Sequence, residues 1–129
     1  MKFLFLSTCL LLFSVLPGWS YNPGSFAEHS AEQSKYYLDE HDSDIGELFL
    51  AYVDAGPENG RPVLLVHGVP TSSWSYRKVA ANLAALGYRV ILPDNLGFGN
   101  SAKPKGKEIY DLAEQGRRLL GLMAYLKID

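Results

Sequence analysis

The amino-acid sequence predicts an α/β fold, in which an antiparallel hairpin leads into a mostly parallel sheet with flanking helices. Two continuous apolar runs, PVLLV at residues 62–66 and YRVIL at residues 88–92, have the composition of strands that are covered on both faces. An amphipathic segment separates the two runs, and a second one follows the later run. Strands that alternate with helices pair in parallel, so both runs are expected in the parallel part of one sheet.

Two aromatic-rich segments before the first run predict the hairpin. Residues 35–39 (KYYLD) and 47–53 (ELFLAYV) mix aromatic and aliphatic side chains as strands do, and HDSDIG between them supplies a turn. Residues 55–62 (AGPENGRP) are rich in Gly, Pro and Asn and therefore predict a further turn.

Two helices are predicted from apolar residues at helical spacing. The first covers residues 73–86 and ends at Gly87. Its apolar positions are Val79, Leu83 and Leu86, and its N-cap is expected among Thr71, Ser72 and Ser73. In the second helix, Asp111 and Glu114 have the spacing of a capping box. One face of this second helix is expected to be lined by Leu112, Gly116, Leu119, Leu120, Met123 and Leu126.

The first twenty residues are typical of a cleaved secretory signal. Lys2 precedes an apolar core over residues 3–16, and Gly18 and Ser20 supply the small residues of a cleavage site. A membrane anchor is the alternative, but the apolar run is shorter than the roughly 20 residues that a bilayer requires. We therefore expect cleavage after Ser20, a secreted or periplasmic protein without a stable membrane anchor, and a flexible lead-in over residues 21–34.

Composition excludes several classes of function. The formal net charge is −2 and no basic cluster is present, so nucleic-acid binding has no electrostatic basis. The single cysteine, Cys9, excludes a disulfide framework within the chain. The sequence predicts neither a cofactor nor a metal site.

The motif HGVP, residues 67–70, lies where a predicted strand ends and a helix begins. Gly68 allows the backbone to approach a ligand closely, and Pro70 fixes the turn. Such a turn could hold a developing oxyanion through the N–H of Val69. The alternative is a plain strand-to-helix connection in which His67 is a hydrogen-bonded structural residue.

The second motif, DNLGFGNSAKP, follows the next predicted strand. Gly97 and Gly99 permit sharp backbone turns, and Asp94 could anchor the loop by accepting backbone N–H bonds. The letters also fit a dinucleotide-binding fingerprint. Pro104 and two lysines stand where that fingerprint requires a helix, which disfavours dinucleotide binding.

Together the two motifs, in this order and at this spacing, resemble the α/β-hydrolase family, and within it the haloalkane dehalogenase and epoxide hydrolase branch. The resemblance covers residues 35–129. It implies a hydrolase with a small-molecule substrate, whose oxyanion-hole loop is formed by His67, Gly68, Val69 and Pro70.

The resemblance also implies roles for the residues around this loop. His67 is then structural and not the catalytic histidine, which lies near the C-terminus in this family. Trp74 and Tyr76 either border the substrate cavity or pack against the sheet. Helix caps and first-turn residues, not nucleophiles, are Ser72, Ser73 and Ser75.

The nucleophile elbow of the family, G-x-Ser-x-G or its Asp counterpart, does not occur in these 129 residues. The resemblance puts it on the strand after the second helix, with the acid and the histidine of the triad further on. We therefore expect an N-terminal fragment of a longer hydrolase, with none of the triad present. A hydrolase-derived binding domain without a triad is the alternative.

The substrate class is constrained by one position. Haloalkane dehalogenases generally have Asn or Glu after His-Gly, where the side chain helps to bind the halide. Val69 cannot do so. This departure disfavours dehalogenation and leaves hydrolysis of an epoxide, an ester or a carbon–carbon bond open.

Overall fold

A computed structural model describes residues 33–42, 44, 46–106 and 108–129. The predicted signal peptide, and all of the predicted lead-in before Gln33, lie outside these residues. In chain order the elements are β1 (Ser34–Asp42), β2 (Gly46–Ala55), β3 (Pro62–Leu64), a 3-10 helix (Ser73–Tyr76) that continues into α1 (Arg77–Ala85), β4 (Arg89–Pro93), a 3-10 turn (Glu108–Tyr110) and α2 (Leu112–Tyr125). The predicted order of strands and helices is confirmed, with boundaries that differ by a few residues.

The four strands form one mixed sheet in the order β1-β2-β4-β3. The β1–β2 hairpin is antiparallel, and β2 also pairs antiparallel with β4, so that Val53 lies opposite Leu92. The pairing of β3 with β4 is parallel, with Val63 opposite Val90. The predicted fold class is therefore confirmed, although only the last pairing within the described residues is parallel.

The two helices cover opposite faces of β4. Alternate side chains of a strand point to opposite faces of the sheet. On one face, Val90 and Leu92 pack against Ala80 and Ala84 of α1. On the other face, Ile91 packs with Tyr52 and with Leu122 of α2. The prediction that the second apolar run is buried on both faces is thus confirmed.

The first apolar run is less buried than predicted. Val63 and Leu64 are only half-buried, and Val66 is exposed. The reason is topological, because β3 lies at the edge of the sheet and within the described residues pairs with β4 alone.

The predicted buried faces of the helices are partly wrong. On α1, Val79 and Leu86 are exposed, and the smaller Ala80 and Ala84 contact the sheet. On α2, Leu112 is 87% and Leu120 73% exposed. The tertiary packing selects a face of α2 that is centred on Leu122 and includes a buried arginine.

That arginine, Arg118, is 3% exposed and forms the main link between α2 and the hairpin. Its Nε and Nη2 donate to the two carboxylate oxygens of Glu40 at 3.0 and 2.6 Å, and its Nη1 donates to the carbonyl of Ile109. Arg117 donates to the same carboxylate. Hydrogen bonding from Arg118 is the largest effect that lowers the pKa of Glu40, and Arg117 adds to it against the opposing effect of burial.

The capping prediction for α2 holds in part. Asp111 is the N-cap, and its carboxylate accepts the N–H of Ala113 at 2.8 Å. Glu114 pairs with Arg117 at 2.8 Å.

No described helix is long and apolar enough to cross a membrane, and in the described residues no three metal-ligating side chains of His, Cys, Asp or Glu come together.

Candidate functional site

The two predicted motifs lie in loops at the same edge of the sheet. Strands β3 and β4 are parallel, so their carboxyl ends point the same way. The loop after β3 contains residues 67–71 and the loop after β4 contains residues 94–102. This edge is the usual position of ligand sites in open α/β sheets.

Hydrogen bonds to three consecutive carbonyl groups hold the first loop in place. The carbonyl of Val66 accepts from the Tyr76 hydroxyl at 3.2 Å, and that of His67 accepts from the side-chain amide of Asn95 at 3.1 Å. The Gly68 carbonyl accepts from the Thr71 hydroxyl at 2.8 Å and from the Thr71 N–H at 3.1 Å. The loop is thus fixed through its acceptors.

His67 is buried, and its hydrogen bonds define its tautomer. Its Nε2 accepts the backbone N–H of Asn95 at 2.9 Å, so that nitrogen carries no proton. In the neutral ring the proton is then on Nδ1, which lies 2.8 Å from the Gly68 carbonyl and donates to it. Phe98 contacts the ring edge-on. Both ring nitrogens are used within the loops, which fits the expected role of His67 as a hydrogen-bonded structural residue.

Val69 lies at the tip of the first loop. Its side chain is 77% exposed. Within the described part of the chain, neither its N–H nor that of Gly68 has a hydrogen-bond partner. The Val69–Pro70 peptide bond is cis, and Pro70 has no N–H. The loop therefore presents a free backbone donor to solvent, while its role in an oxyanion hole stays a prediction.

Asp94 is 1% exposed and joins the second loop to the start of the 3-10 helix that follows the first loop. Its Oδ1 accepts the N–H of Ser73, the first residue of the 3-10 helix, at 2.7 Å. Its Oδ2 accepts the N–H of Asn100 at 2.9 Å. Ser72 stands at the N-cap position without a side-chain cap bond. The predicted N-cap position is confirmed, but its hydroxyl makes no cap bond, and the first N–H of the 3-10 helix donates to the Asp94 carboxylate of the second loop instead.

The glycines of the second loop are required by close contacts. Gly99 has φ +50°, and a Cβ there would lie 2.1 Å from Oδ2 of Asp94. Gly97 has φ +91°, and a Cβ there would lie 2.5 Å from the Tyr110 ring. Only a residue without a side chain fits either position.

The two predicted cavity aromatics have different surroundings. Trp74 lines a cavity of about 220 Å³ together with Asp94, Asn100 and Gln33. Tyr76 packs against the cluster of α1 and β4. The residues His67–Pro70 do not line this cavity. Trp74 therefore lines this cavity without Tyr76 and without the loop that carries the N–H of Val69.

Three residues that the sequence analysis did not assign to the site, Thr71 having been only a helix-cap candidate, take part in it. Asn95 clamps both the ring and the carbonyl of His67. Thr71 binds the Gly68 carbonyl. Gln33 bridges the loops, donating to the Ser73 hydroxyl at 3.0 Å and accepting from the Asn100 side chain at 2.7 Å. Only Thr71 has a local sequence signal, the spacing of a turn with Gly68.

Comparison with known proteins agrees with this geometry. The sequence profile of the alpha/beta hydrolase fold matches residues 61–129. A haloalkane dehalogenase of Psychrobacter cryohalolentis is 40% identical over 98 residues, which are 76% of this chain and 28% of that protein. Epoxide hydrolase A of Mycobacterium tuberculosis is 36% identical over 80 residues, which are 62% of this chain and 25% of that protein.

Solved structures show the same likeness. The haloalkane dehalogenase DpaA of Paraglaciecola agarilytica NO2 superposes with a TM-score of 0.62 at 32% identity, covering 89% of this chain and 34% of that one. An epoxide hydrolase described for Klebsiella pneumoniae gives a TM-score of 0.61 at 30% identity, covering 82% and 32%. The chain spans about a quarter of the length of the curated relatives it matches. By sequence and by fold, the chain belongs to the alpha/beta hydrolase fold family.

Proposed function

We propose that the whole protein is a hydrolase that cleaves an epoxide, an ester, a haloalkane or a related bond in a small organic molecule. The nucleophile, histidine and acid of its triad would come from chain outside the described residues. The observation that carries the proposal is the free N–H of Val69 at the tip of a loop whose carbonyls at Val66, His67 and Gly68 accept hydrogen bonds from the rest of the fold. Such a donor stabilises the negative charge that develops on oxygen when a nucleophile attacks.

Within this class we favour an epoxide or an ester over a haloalkane. The relatives include proteins named haloalkane dehalogenase, but the exposed side chain of Val69 has no donor for a halide ion. An Asp nucleophile, which forms an alkyl ester with the substrate, is slightly favoured over Ser because the two motifs resemble the dehalogenase and epoxide hydrolase branch.

A substrate panel tests the proposal on the whole protein. We expect turnover of an epoxide or an aryl ester to exceed that of a bromoalkane of similar size. The Val69→Asn variant supplies a side-chain amide, so bromide release should rise relative to the parent. Absence of turnover on every substrate would contradict the enzyme assignment and would favour a hydrolase-derived binding domain.

We further propose that the protein is exported and that residues 1–20 are removed. The basis is the charged start, the short apolar core and the small residues before Tyr21. N-terminal sequencing of the exported protein should begin at or near Tyr21, and a chain that retains Met1 in the cytoplasm would contradict the proposal.

A further inference from the structure

We infer that Thr71 and His67 are positioning residues that orient the Gly68–Val69 peptide unit and so direct the N–H of Val69 toward the reacting oxygen. The inference rests on the proposed function for its chemical consequence. Its structural basis is that several donors converge on the carbonyl of Gly68, an arrangement that the HGVP motif alone does not predict.

The carbonyl of Gly68 and the N–H of Val69 belong to the same peptide unit. This unit is trans, since the cis bond described in this region joins Val69 to Pro70. In a trans peptide the C=O and N–H vectors are coplanar and point in opposite directions. Any group that fixes the direction of the Gly68 oxygen therefore fixes the direction of the Val69 N–H.

Three donors fix that oxygen. They are the Nδ1–H of His67 at 2.8 Å, the hydroxyl of Thr71 at 2.8 Å and the N–H of Thr71 at 3.1 Å. All three pull the oxygen back toward the loop. The Val69 N–H consequently points away from these donors, where the described residues offer it no partner.

The opposite orientation would be harmful to the proposed chemistry. If the peptide rotated by half a turn, the Gly68 oxygen would face the reacting centre and would repel a developing oxyanion. Glycine at position 68 makes such a rotation sterically easy. The donors on the carbonyl therefore hold the loop in the one orientation that stabilises negative charge.

The two positioning side chains differ in how much of the structure their replacement would disturb. His67 is buried and also accepts the N–H of Asn95, so its replacement would disturb both loops. Thr71 is exposed, and its hydroxyl has the Gly68 carbonyl as its acceptor. Thr71 is therefore the better site for a test.

The test compares Thr71→Val with Thr71→Ser in the whole protein, using the best substrate of the panel. Valine has the shape of threonine but no hydroxyl, and serine keeps the hydroxyl. We expect Thr71→Val to lower kcat by about three- to tenfold, the effect of one net hydrogen bond. KM should change by less than about twofold, and the melting temperature should stay unchanged. Thr71→Ser should restore most of the lost kcat.

A Thr71→Val enzyme with unchanged kcat would overturn the inference. So would a rise in KM alone, or a serine variant as slow as the valine variant, because neither fits a role in orienting a transition-state donor.

A second measurement decides the geometry even where no substrate is turned over. In uniformly ¹⁵N-labelled wild-type protein, NMR should show the ring proton of His67 on Nδ1 and an unprotonated Nε2. The Val69 amide should exchange rapidly with solvent, and the Asn95 amide slowly. A proton on Nε2, or a protected Val69 amide, would overturn the inference. If these signals agree and every substrate of the panel fails, the proposed function fails and the orientation of the peptide stands.

Discussion

The two loops at the carboxyl edge of the sheet look alike in sequence, since each follows an apolar strand and contains glycine, but they differ in how many of their backbone amides are hydrogen-bonded. The loop after β3 is held by hydrogen bonds to the carbonyls of Val66, His67 and Gly68. The loop at residues 94–102 is held by its amides, whose acceptors include the Asp94 carboxylate, the His67 ring and the carbonyls of Ala51 and Phe49.

This difference in free amides suggests different roles for the two loops. Within the described residues the first loop keeps the amides of Gly68 and Val69 free for an anion, whereas most amides of the second loop already have acceptors. We therefore propose that residues 67–70 bind the ligand and that residues 94–102 support them. The second loop acts on the first through Asp94 and Asn95.

The largest effect is expected from breaking the supporting loop. Asp94→Ala removes the acceptor of two backbone N–H groups, a buried one at Ser73 and a part-buried one at Asn100. Bonds to a charged acceptor contribute about 1.5–3 kcal/mol each, so the free energy of unfolding should fall by about 3–4 kcal/mol in urea denaturation. Asp94→Asn keeps one oxygen acceptor and should lose about half as much. An alanine variant as stable as the parent would mean that this loop is not the support.

Breaking the free donor should have the opposite signature. Val69→Pro removes the N–H at an exposed position, so kcat should fall by about 10²-fold or more with little change in unfolding free energy. Val69→Leu keeps the N–H and is the matched control, for which kcat should be nearly that of the parent. Equal losses from proline and leucine in steady-state kinetics would show that the loop serves packing rather than charge stabilisation.

A third change sharpens the comparison from outside both loops. Glu40→Gln leaves the buried guanidinium of Arg118 without its countercharge, which should cost about 2 kcal/mol of stability at pH 7 after allowance for the partial exposure of Glu40. Turnover by the folded fraction should be unchanged. A fall in kcat as large as that of Val69→Pro would remove the distinction between site and scaffold.

The pH dependence of this pair has a definite sign. The pKa of Glu40 is lowered in the folded state, so the pair contributes its full stability above the ordinary pKa of 4.5 and loses it as the pH falls through the lower folded value. Thermal unfolding of the parent and Glu40→Gln should therefore converge as the pH is lowered from 6 toward 3. A difference that grows on acidification would contradict this assignment.

The smallest effect concerns the strands that carry the two loops. Strand β4 is paired on both sides, whereas β3 is paired on one side within the described residues. An open apolar edge is a template for self-association, so we expect residues 21–129 produced alone to be poorly soluble. Val66→Lys should reduce light scattering modestly. Leu120→Lys, on the exposed side of α2, is the control and should reduce it less.

Local signals account for what the sequence predicted well. The apolar runs, Gly87 and the two motifs act within a few residues, and they gave the order of elements and the position of the candidate site. The N-cap residue of the first helix was predicted, but the acceptor of its first N–H was missed because that acceptor, Asp94, lies 21 residues away in the chain. Serine and threonine at positions 71–73 are good caps by propensity, but a buried carboxylate is a stronger acceptor than a hydroxyl.

The buried face of α2 was missed for a related reason. Apolar residues occur around much of this helix, so periodicity alone does not decide which side faces the sheet. The side is decided by Arg118, whose partner Glu40 lies 78 residues earlier. An arginine reads as a surface residue until its partner is known.

Two hydrogen bonds join Asn95 to His67, and they determine which substitutions the two positions accept. The bond to the His67 ring comes from the backbone of residue 95, so every residue except proline can supply it. The ring itself must offer an acceptor at one end and a donor at the other, and no other side chain matches histidine in that geometry. In a saturation library selected for turnover, position 95 should therefore tolerate many residues, with a cost for losing the side-chain amide, and position 67 almost none.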